Sequence, residues 1–285
     1  MRAPRAERIA MPESLRAAAE EFAAGVRAPV EPRDAATVVL LRDGTHHNGR
    51  DGPEVYLLRR HDRMAFAAGM AVFPGGGVDD RDRQAAFTGG SWVGPSEASW
   101  ADQLGCDAAT ARGLVCAAVR ETFEESGVLL AGPDGGSVVA DTTGDDWEAD
   151  RLALVAKQVS LAAMLTRRGL VLRTDLMRAW AHWITPDFEP RRYDTRFFVA
   201  VLPAGQRTRD VSTESDAVTW VSPGDALASA AAGELAMMPP TIRTCAELAG
   251  LERASDVLRV ARRRHITPVE PRLVLDGDRV WLETP

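Results

Sequence analysis

The chain has 285 residues, enough for one large domain or for a domain with extensions, and its composition is that of an ordinary globular protein. With 34 Lys and Arg against 41 Asp and Glu, the net charge of -7 leaves no basic footprint for nucleic acid or an anionic membrane. The 3 cysteines, Cys106, Cys116 and Cys245, form no CxxC pair, which argues against a disulfide framework or a zinc ribbon and favours a reducing, cytoplasmic setting. No segment approaches the ~20 apolar residues of a membrane span. Arg2, Arg5 and Arg8 precede no apolar run, and Glu13, Glu20 and Glu21 argue against a transit peptide.

In chain order, residues 12–25 read as a short helix ending at Gly25, followed by a connection through Pro29 and Pro32. Residues 36–41 are a buried strand and residues 54–58 its partner. His46 and His47 lie in the Gly/Asp/Asn loop between them and read as solvated loop residues, because consecutive side chains at a strand end point opposite ways. The second strand runs into a basic cluster, Arg59, Arg60 and Arg63, and then into an apolar stretch that ends Phe73-Pro74-Gly75-Gly76-Gly77. Such a turn lets the backbone approach a ligand closely, since glycine has no Cβ. Asp79, Asp80 and Asp82 follow it.

Residues 120–128 read Arg-Glu-Thr-Phe-Glu-Glu-Ser-Gly-Val. Ala117, Ala118 and Val119 before them and Gly127 behind them predict a helix, which sets Glu121, Glu124 and Glu125 at i, i+3 and i+4 on one face. Like charges at that spacing repel unless a cation lies over them, and grouped carboxylate oxygens suit Mg2+ or Mn2+ rather than zinc. The alternative at this point is a solvated acidic helix end, although acidic groups there oppose the helix dipole.

The glycine turn and this helix together resemble the Nudix hydrolase superfamily. Its pattern is Gly, five residues, Glu, seven residues, then Arg-Glu-aliphatic-any-Glu-Glu-any-Gly-aliphatic. Here Asp82 stands where the family has the first Glu, and residues 83–119 separate it from Arg120, so about thirty residues are inserted. The inserted stretch, about 83–111, is rich in Gly, Ser, Trp and Ala and is expected to leave the compact fold as a surface loop or short helix. An insertion at this place resembles the branch of peroxisomal coenzyme A diphosphatase-like proteins, and residues 180–186, 191–198, 220–223 and 235–240 are similar to that branch too.

Further along, residues 147–165 are predicted as one helix, 177–185, 195–202 and 217–221 as strands, and 223–232 as a helix. After Pro239-Pro240 come helices at about 241–250 and 255–264 and a hairpin over 273–282 turning at Asp276-Gly277. The fold expected is a Nudix-type α/β/α sandwich around a mixed sheet. Its parts would be an N-terminal arm (1–33), a hydrolase domain (34–235, with the insertion at 83–111) and a C-terminal helical extension (236–285).

The resemblance implies Glu121 and Glu125 as main ligands of Mg2+ or Mn2+, with Glu124 beside them and the Gly75 carbonyl completing the site. Arg120, one turn before Glu124, would orient that carboxylate. Asp82 would be structural, being one methylene shorter than the family's Glu. The resemblance places the general base either on this helix, where Glu124 and Glu121 stand, or on a later loop, where Glu214, six residues before Trp220, is the candidate and Asp216 its competitor. Arg59, Arg60, Arg63 and Arg192, with Arg191 and Arg196 near it, are candidates for holding phosphate, since guanidinium forks match phosphate oxygens. The substrate implied is a small nucleotide-type molecule, first a coenzyme A or acyl-coenzyme A, then ADP-ribose, NADH or a damaged nucleotide. A non-catalytic nucleotide-sensing module is the reading in another class. A monomer or homodimer is expected.

Overall fold

The computed structural model describes residues 7–11, 15–46, 49, 51–61, 67–85, 87, 90–211, 215–277 and 279–285. The chain runs through β1 (Glu7–Met11) and α1 (Arg16–Ala23) into the long pair β2 (Arg33–Thr45) and β3 (Asp51–Arg60). The short strands β4 (Ala71–Val72) and β5 (Gly75–Gly77), the one-turn helix α2 (Asp80–Arg83) and β6 (Trp92–Val93) lead to α3 (Glu97–Leu104) and α4 (Ala108–Ser126). Then β7 (Ala131–Gly132), α5 (Asp145–Val155), α6 (Leu161–Arg167) and β8 (Val171–Arg173) precede the second long pair, β9 (Met177–Ile184) and β10 (Tyr193–Val201). The chain closes with β11 (Ser215–Val221), α7 (Pro223–Ala231), α8 (Pro239–Leu248), α9 (Ala254–Ala261), β12 (Pro268–Val269), β13 (Arg272–Asp276) and β14 (Arg279–Thr284).

The main sheet has the order β11-β3-β2-β10-β9-β12, with β4 on β3 and β5 on β2. It is mixed: β2 and β10 run parallel, with Val38 opposite Phe198, while β2 and β3 form an antiparallel pair. The apolar runs in β2 and β3 are unbroken because both sheet faces are covered. Val38, Leu40, Tyr56, Leu58 and Phe198 face one core, which they share with α4. Val39, Leu41, Val55, Leu57 and Val199 face the other, shared with α7, α8 and α9. This is the expected three-layer sandwich. No helix among the described residues is long and apolar enough to cross a membrane.

Three expectations change in detail. The helix predicted over 147–165 is two helices, broken where Lys157 takes a φ of 56° and Ser160 caps α6 by accepting from the Ala163 amide. The N-terminal segment is not a lone arm: β1 pairs with β14, which pairs with β13, so the two ends of the chain share a three-stranded sheet. The insertion does contain a short helix, α3, but it does not leave the compact fold. Trp100 is fully buried, packs edge-on against Phe198 at 5.7 Å and donates its indole N–H to Thr174 Oγ1, while β6 adds to β8 in a second small sheet. The reason is apolar surface: Trp100 and Leu104, one turn apart, would be left in water by a detached loop.

Candidate active site

Helix α4 starts at Asp107, whose carboxylate accepts from the Ala109 and Thr110 amides at 2.9 and 3.0 Å. It closes at Gly127, where a φ of 74° lets the glycine amide reach the Phe123 carbonyl. Every side chain from Leu114 to Val119 is fully buried, so this part of the helix is surrounded by core. The last two turns carry Arg120, Glu121, Glu124 and Glu125. Residues 108–119, which lie between the two halves of the motif in sequence, are this same helix continued upstream.

Strand β5 brings the other half of the motif to this helix end. Gly75, Gly76 and Gly77 pair with Thr37, Ala36 and Ala35 of β2. The Gly75 amide donates to Glu125 Oε2 at 2.8 Å. Glu121 lies over Gly76 so closely that a Cβ there would sit 2.4 Å from its Oε1. The absence of a side chain at Gly76 is therefore what admits the Glu121 carboxylate.

Arg120 ties the pieces together. Its Nη1 donates to Glu121 Oε1 at 2.7 Å and to both Glu124 oxygens at 3.3 Å. Its Nη2 donates to the Gly77 carbonyl at 2.9 Å and to Asp82 Oδ2 at 2.8 Å. Asp82, only 2% exposed, also accepts from the Asp79 amide in a capping box at the start of α2. Asp82 thus anchors Arg120 and the turn after the glycines.

Burial, and after it the charge of Glu121, pushes the Glu124 carboxyl up to about 7, against the opposing pull of Arg120. Burial works against the Arg120 charge as well, but Glu121 and Asp82 outweigh it and raise its pKa further above the ordinary arginine value. Four carboxyl groups meet here, and one guanidinium does not balance them. The donor set is entirely oxygen, which suits a hard divalent cation. Among the described residues, however, no three acidic, His or Cys groups converge on a point where an ion would sit. Glu125 is turned to the Gly75 amide, and Arg120 lies against Glu121 and Glu124.

The C-terminal end of α4 is held by residues the sequence did not single out. Arg151 of α5 donates through Nη1 to the Glu124 carbonyl at 2.8 Å and forks onto Glu148 at 3.0 and 2.6 Å. Arg209 donates its amide to the Ser126 carbonyl at 2.9 Å and its Nη1 to Glu148 Oε2, also at 2.9 Å. No local pattern marks these residues, which are far from the motif in sequence.

The candidate phosphate-binding arginines fare differently. Arg59 and Arg60 sit at the end of β3, against β11. Arg63 and Glu214 lie outside the described residues, as do the side-chain surroundings of Asp216. Among the described residues, Arg192 makes its hydrogen bonds and ion pair away from the motif. It is buried, with Nε on the Thr185 carbonyl, Nη1 on the Val30 carbonyl and Nη2 on Glu270 Oε1. Arg196, also buried, joins Asp194 and the Leu104 carbonyl. Both serve as internal ties: Arg196 lies in β10, an interior strand of the sheet, and Arg192 stands just before it.

Comparison with known proteins identifies the family. A family model described as the NUDT19 Nudix domain matches residues 95–248. An acyl-coenzyme A diphosphatase NUDT19 from Gallus gallus is 26% identical over 309 residues, covering 89% of this chain and 80% of that protein. The protein of the same name from Homo sapiens is also 26% identical, over 82% of this chain and 73% of its own length. Among solved structures, a NUDIX hydrolase from Alicyclobacillus acidocaldarius is 30% identical and superposes with a TM-score of 0.68 over 81% of this chain and 96% of its own. The chain therefore belongs to the Nudix hydrolases, in the family of the NUDT19 Nudix domain.

Proposed function

We propose that this Nudix hydrolase cleaves the diphosphate linkage of coenzyme A or an acyl-coenzyme A, adding water across the P–O–P bridge to release a 4′-phosphopantetheine and 3′,5′-adenosine diphosphate. The observation that carries the reading is the meeting of the two motif halves, with Glu121 seated over Gly76 and Glu125 on the Gly75 amide. The substrate class rests on the relatives named acyl-coenzyme A diphosphatase.

Glu121, Glu125 and Glu124, with the Gly75 carbonyl, would hold Mg2+ or Mn2+. When bound, such an ion neutralises phosphate charge and makes a coordinated water more acidic. Arg120 orients the Glu121 and Glu124 carboxylates. Glu124 and Glu214, with Asp216 as the competitor of the latter, are the candidates for taking the proton of the attacking water, and Arg59, Arg60 and Arg63 are candidates for holding the substrate's phosphates.

The test is a substrate panel in Mg2+ or Mn2+: coenzyme A, an acyl-coenzyme A, ADP-ribose, NADH and a dinucleoside polyphosphate. Brisk turnover of the coenzyme A species is expected. ADP-ribose cleavage with no turnover of any coenzyme A would overturn the substrate while leaving the chemistry. No hydrolysis of anything, with nucleotide binding retained, would favour a sensing module. Because Glu124→Gln would weaken the metal site as well as remove any base, the base is assigned from the pH profile of kcat for Glu214→Gln at saturating Mn2+: loss of the acidic limb assigns the base to Glu214, and its retention assigns it to another carboxyl, Glu124 first.

A further inference from the structure

The three glutamates stand in the last two turns of α4, at the end where the helix dipole is negative and where the final carbonyls have no partner within the helix. Two like-signed effects therefore push this end apart. Two arginines offset them from outside the motif. Arg151 is 3% exposed, and its fork grips Glu148 while its remaining nitrogen takes the Glu124 main-chain carbonyl. Arg209 adds a second cation to the same Glu148 and a backbone hydrogen bond to Ser126, and its own carbonyl accepts from Tyr56 Oη at 3.1 Å.

Among the described residues the buried Nε and Nη2 of Arg209 have no hydrogen-bond partner, and they lie over Gly127, where a Cβ would come within 2.8 Å of Nε. Gly127 thus leaves room for a guanidinium at the negative end of the helix, besides supplying the left-handed cap. Thr142 completes the arrangement by donating to the Gly127 carbonyl at 2.6 Å. The last turn is consequently tied to α5, to the 206–211 connection and, through Tyr56, to the main sheet.

We propose that Arg151, supported by Glu148 and Arg209, is a positioning residue for the glutamate face. It acts through the Glu124 carbonyl, fixing the main chain from which Glu124 and Glu125 project, so that their carboxylates are held at the right distance from the glycine strand. The inference rests on the metal-dependent reading of the site proposed above. A group that orients ligands from behind characteristically changes metal affinity by about 10- to 100-fold when removed.

The experiment measures Mn2+ binding by calorimetry and steady-state kinetics on the full chain, for wild type, Arg151→Met, Arg151→Lys and Arg168→Met. Arg168 is the control: it ties α6 to α5 through Asp146 and Asp150 and stacks on Trp147, with no hydrogen bond to α4. Arg151→Met is expected to bind Mn2+ at least about tenfold more weakly and to lower kcat by a similar factor, with the substrate KM little changed. Arg151→Lys is expected to fall at least about threefold short of wild type, because an ammonium cannot grip Glu148 and reach the Glu124 carbonyl with one planar fork. It also provides the reading if Arg151→Met fails to fold.

Wild-type Mn2+ affinity in a folded Arg151→Met, or in Arg151→Lys, would overturn the positioning role and leave the proposed function standing. An equal loss in Arg168→Met would overturn it too, by showing that general loosening of α5 suffices. A wild-type protein that neither binds Mn2+ nor hydrolyses a diphosphate would remove the functional reading and this inference together.

Discussion

Alanine placed in turn at Gly75, Gly76 and Gly77 separates three roles that one short strand combines. At Gly75 the new methyl carbon would stand 2.5 Å from the Ala36 carbonyl oxygen and 2.8 Å from the Thr37 Cα. Backbone cannot yield there without parting β5 from β2, so overpacking and lost ladder bonds together should cost about 3 kcal/mol. At Gly76 the methyl would meet Glu121 Oε1, Cδ and Oε2 at 2.4, 2.6 and 2.8 Å. These atoms end a flexible side chain, so stability should change by about 1 kcal/mol or less. The carboxylate must move by about 1 Å to regain van der Waals distance, however, and misplacement on that scale costs about 100-fold in rate. At Gly77 nothing lies within 4 Å of the new carbon. That variant should keep its activity and gain up to about 1 kcal/mol from a less flexible unfolded chain. Urea unfolding and diphosphate hydrolysis in Mn2+, measured on all three, give the pattern. Full activity in Gly76→Ala, or equal inactivation in Gly77→Ala, would refute the claim that Glu121 depends on the bare backbone of Gly76.

Two further perturbations test the frame around the site. Trp100→Ala should destabilise the fold by about 3–5 kcal/mol in urea unfolding, the range for emptying a buried tryptophan site, and a loss below about 1 kcal/mol would return the insertion to the status of a surface loop. For Glu124, the folded protein holds a proton up to about pH 7 that the unfolded chain releases near 4.5. Without divalent ions, stability should therefore fall as pH rises across that window, by up to about 3 kcal/mol, relative to Glu124→Gln measured in parallel. Added Mn2+ should reverse the fall. A difference between the two proteins that stays flat, or grows with pH, would contradict the buried, repelled carboxyl.

The local features of the site were legible because each is written in a short window. Residues 36–41 read as a strand from their unbroken apolar run, and the glutamate face from its spacing before Gly127. The C-terminal hairpin was marked by its Asp-Gly turn, and it appears as β13 and β14. The break at Lys157 was not legible, because a non-glycine residue with positive φ is uncommon and the stretch around it has ordinary helical composition. Arg192 illustrates the same limit for function. Its run of neighbouring arginines suggests phosphate, yet two of its three partners, Val30 and Glu270, lie 162 and 78 residues away along the chain, and the third is Thr185.

The amino-acid sequence by itself determined the long strands of the main sheet, the helix that carries the glutamates and the chemistry of its carboxylates, since these depend on periodicity and residue type within a few turns. Tertiary structure decided how the halves of the motif meet. Residues 83–119 separate them along the chain, but α3 is folded against the core and α4 is extended upstream, so the helix end arrives beside β5. Packing likewise decided which charges surround the glutamates. Asp82, Arg151 and Arg209 reach α4 through contacts 27 to 83 residues apart in sequence, from Glu124 to Arg151 and from Ser126 to Arg209, with Arg120 to Asp82 between. Which arginine lies nearest a buried carbonyl follows from how the layers stack, and no local pattern encodes it.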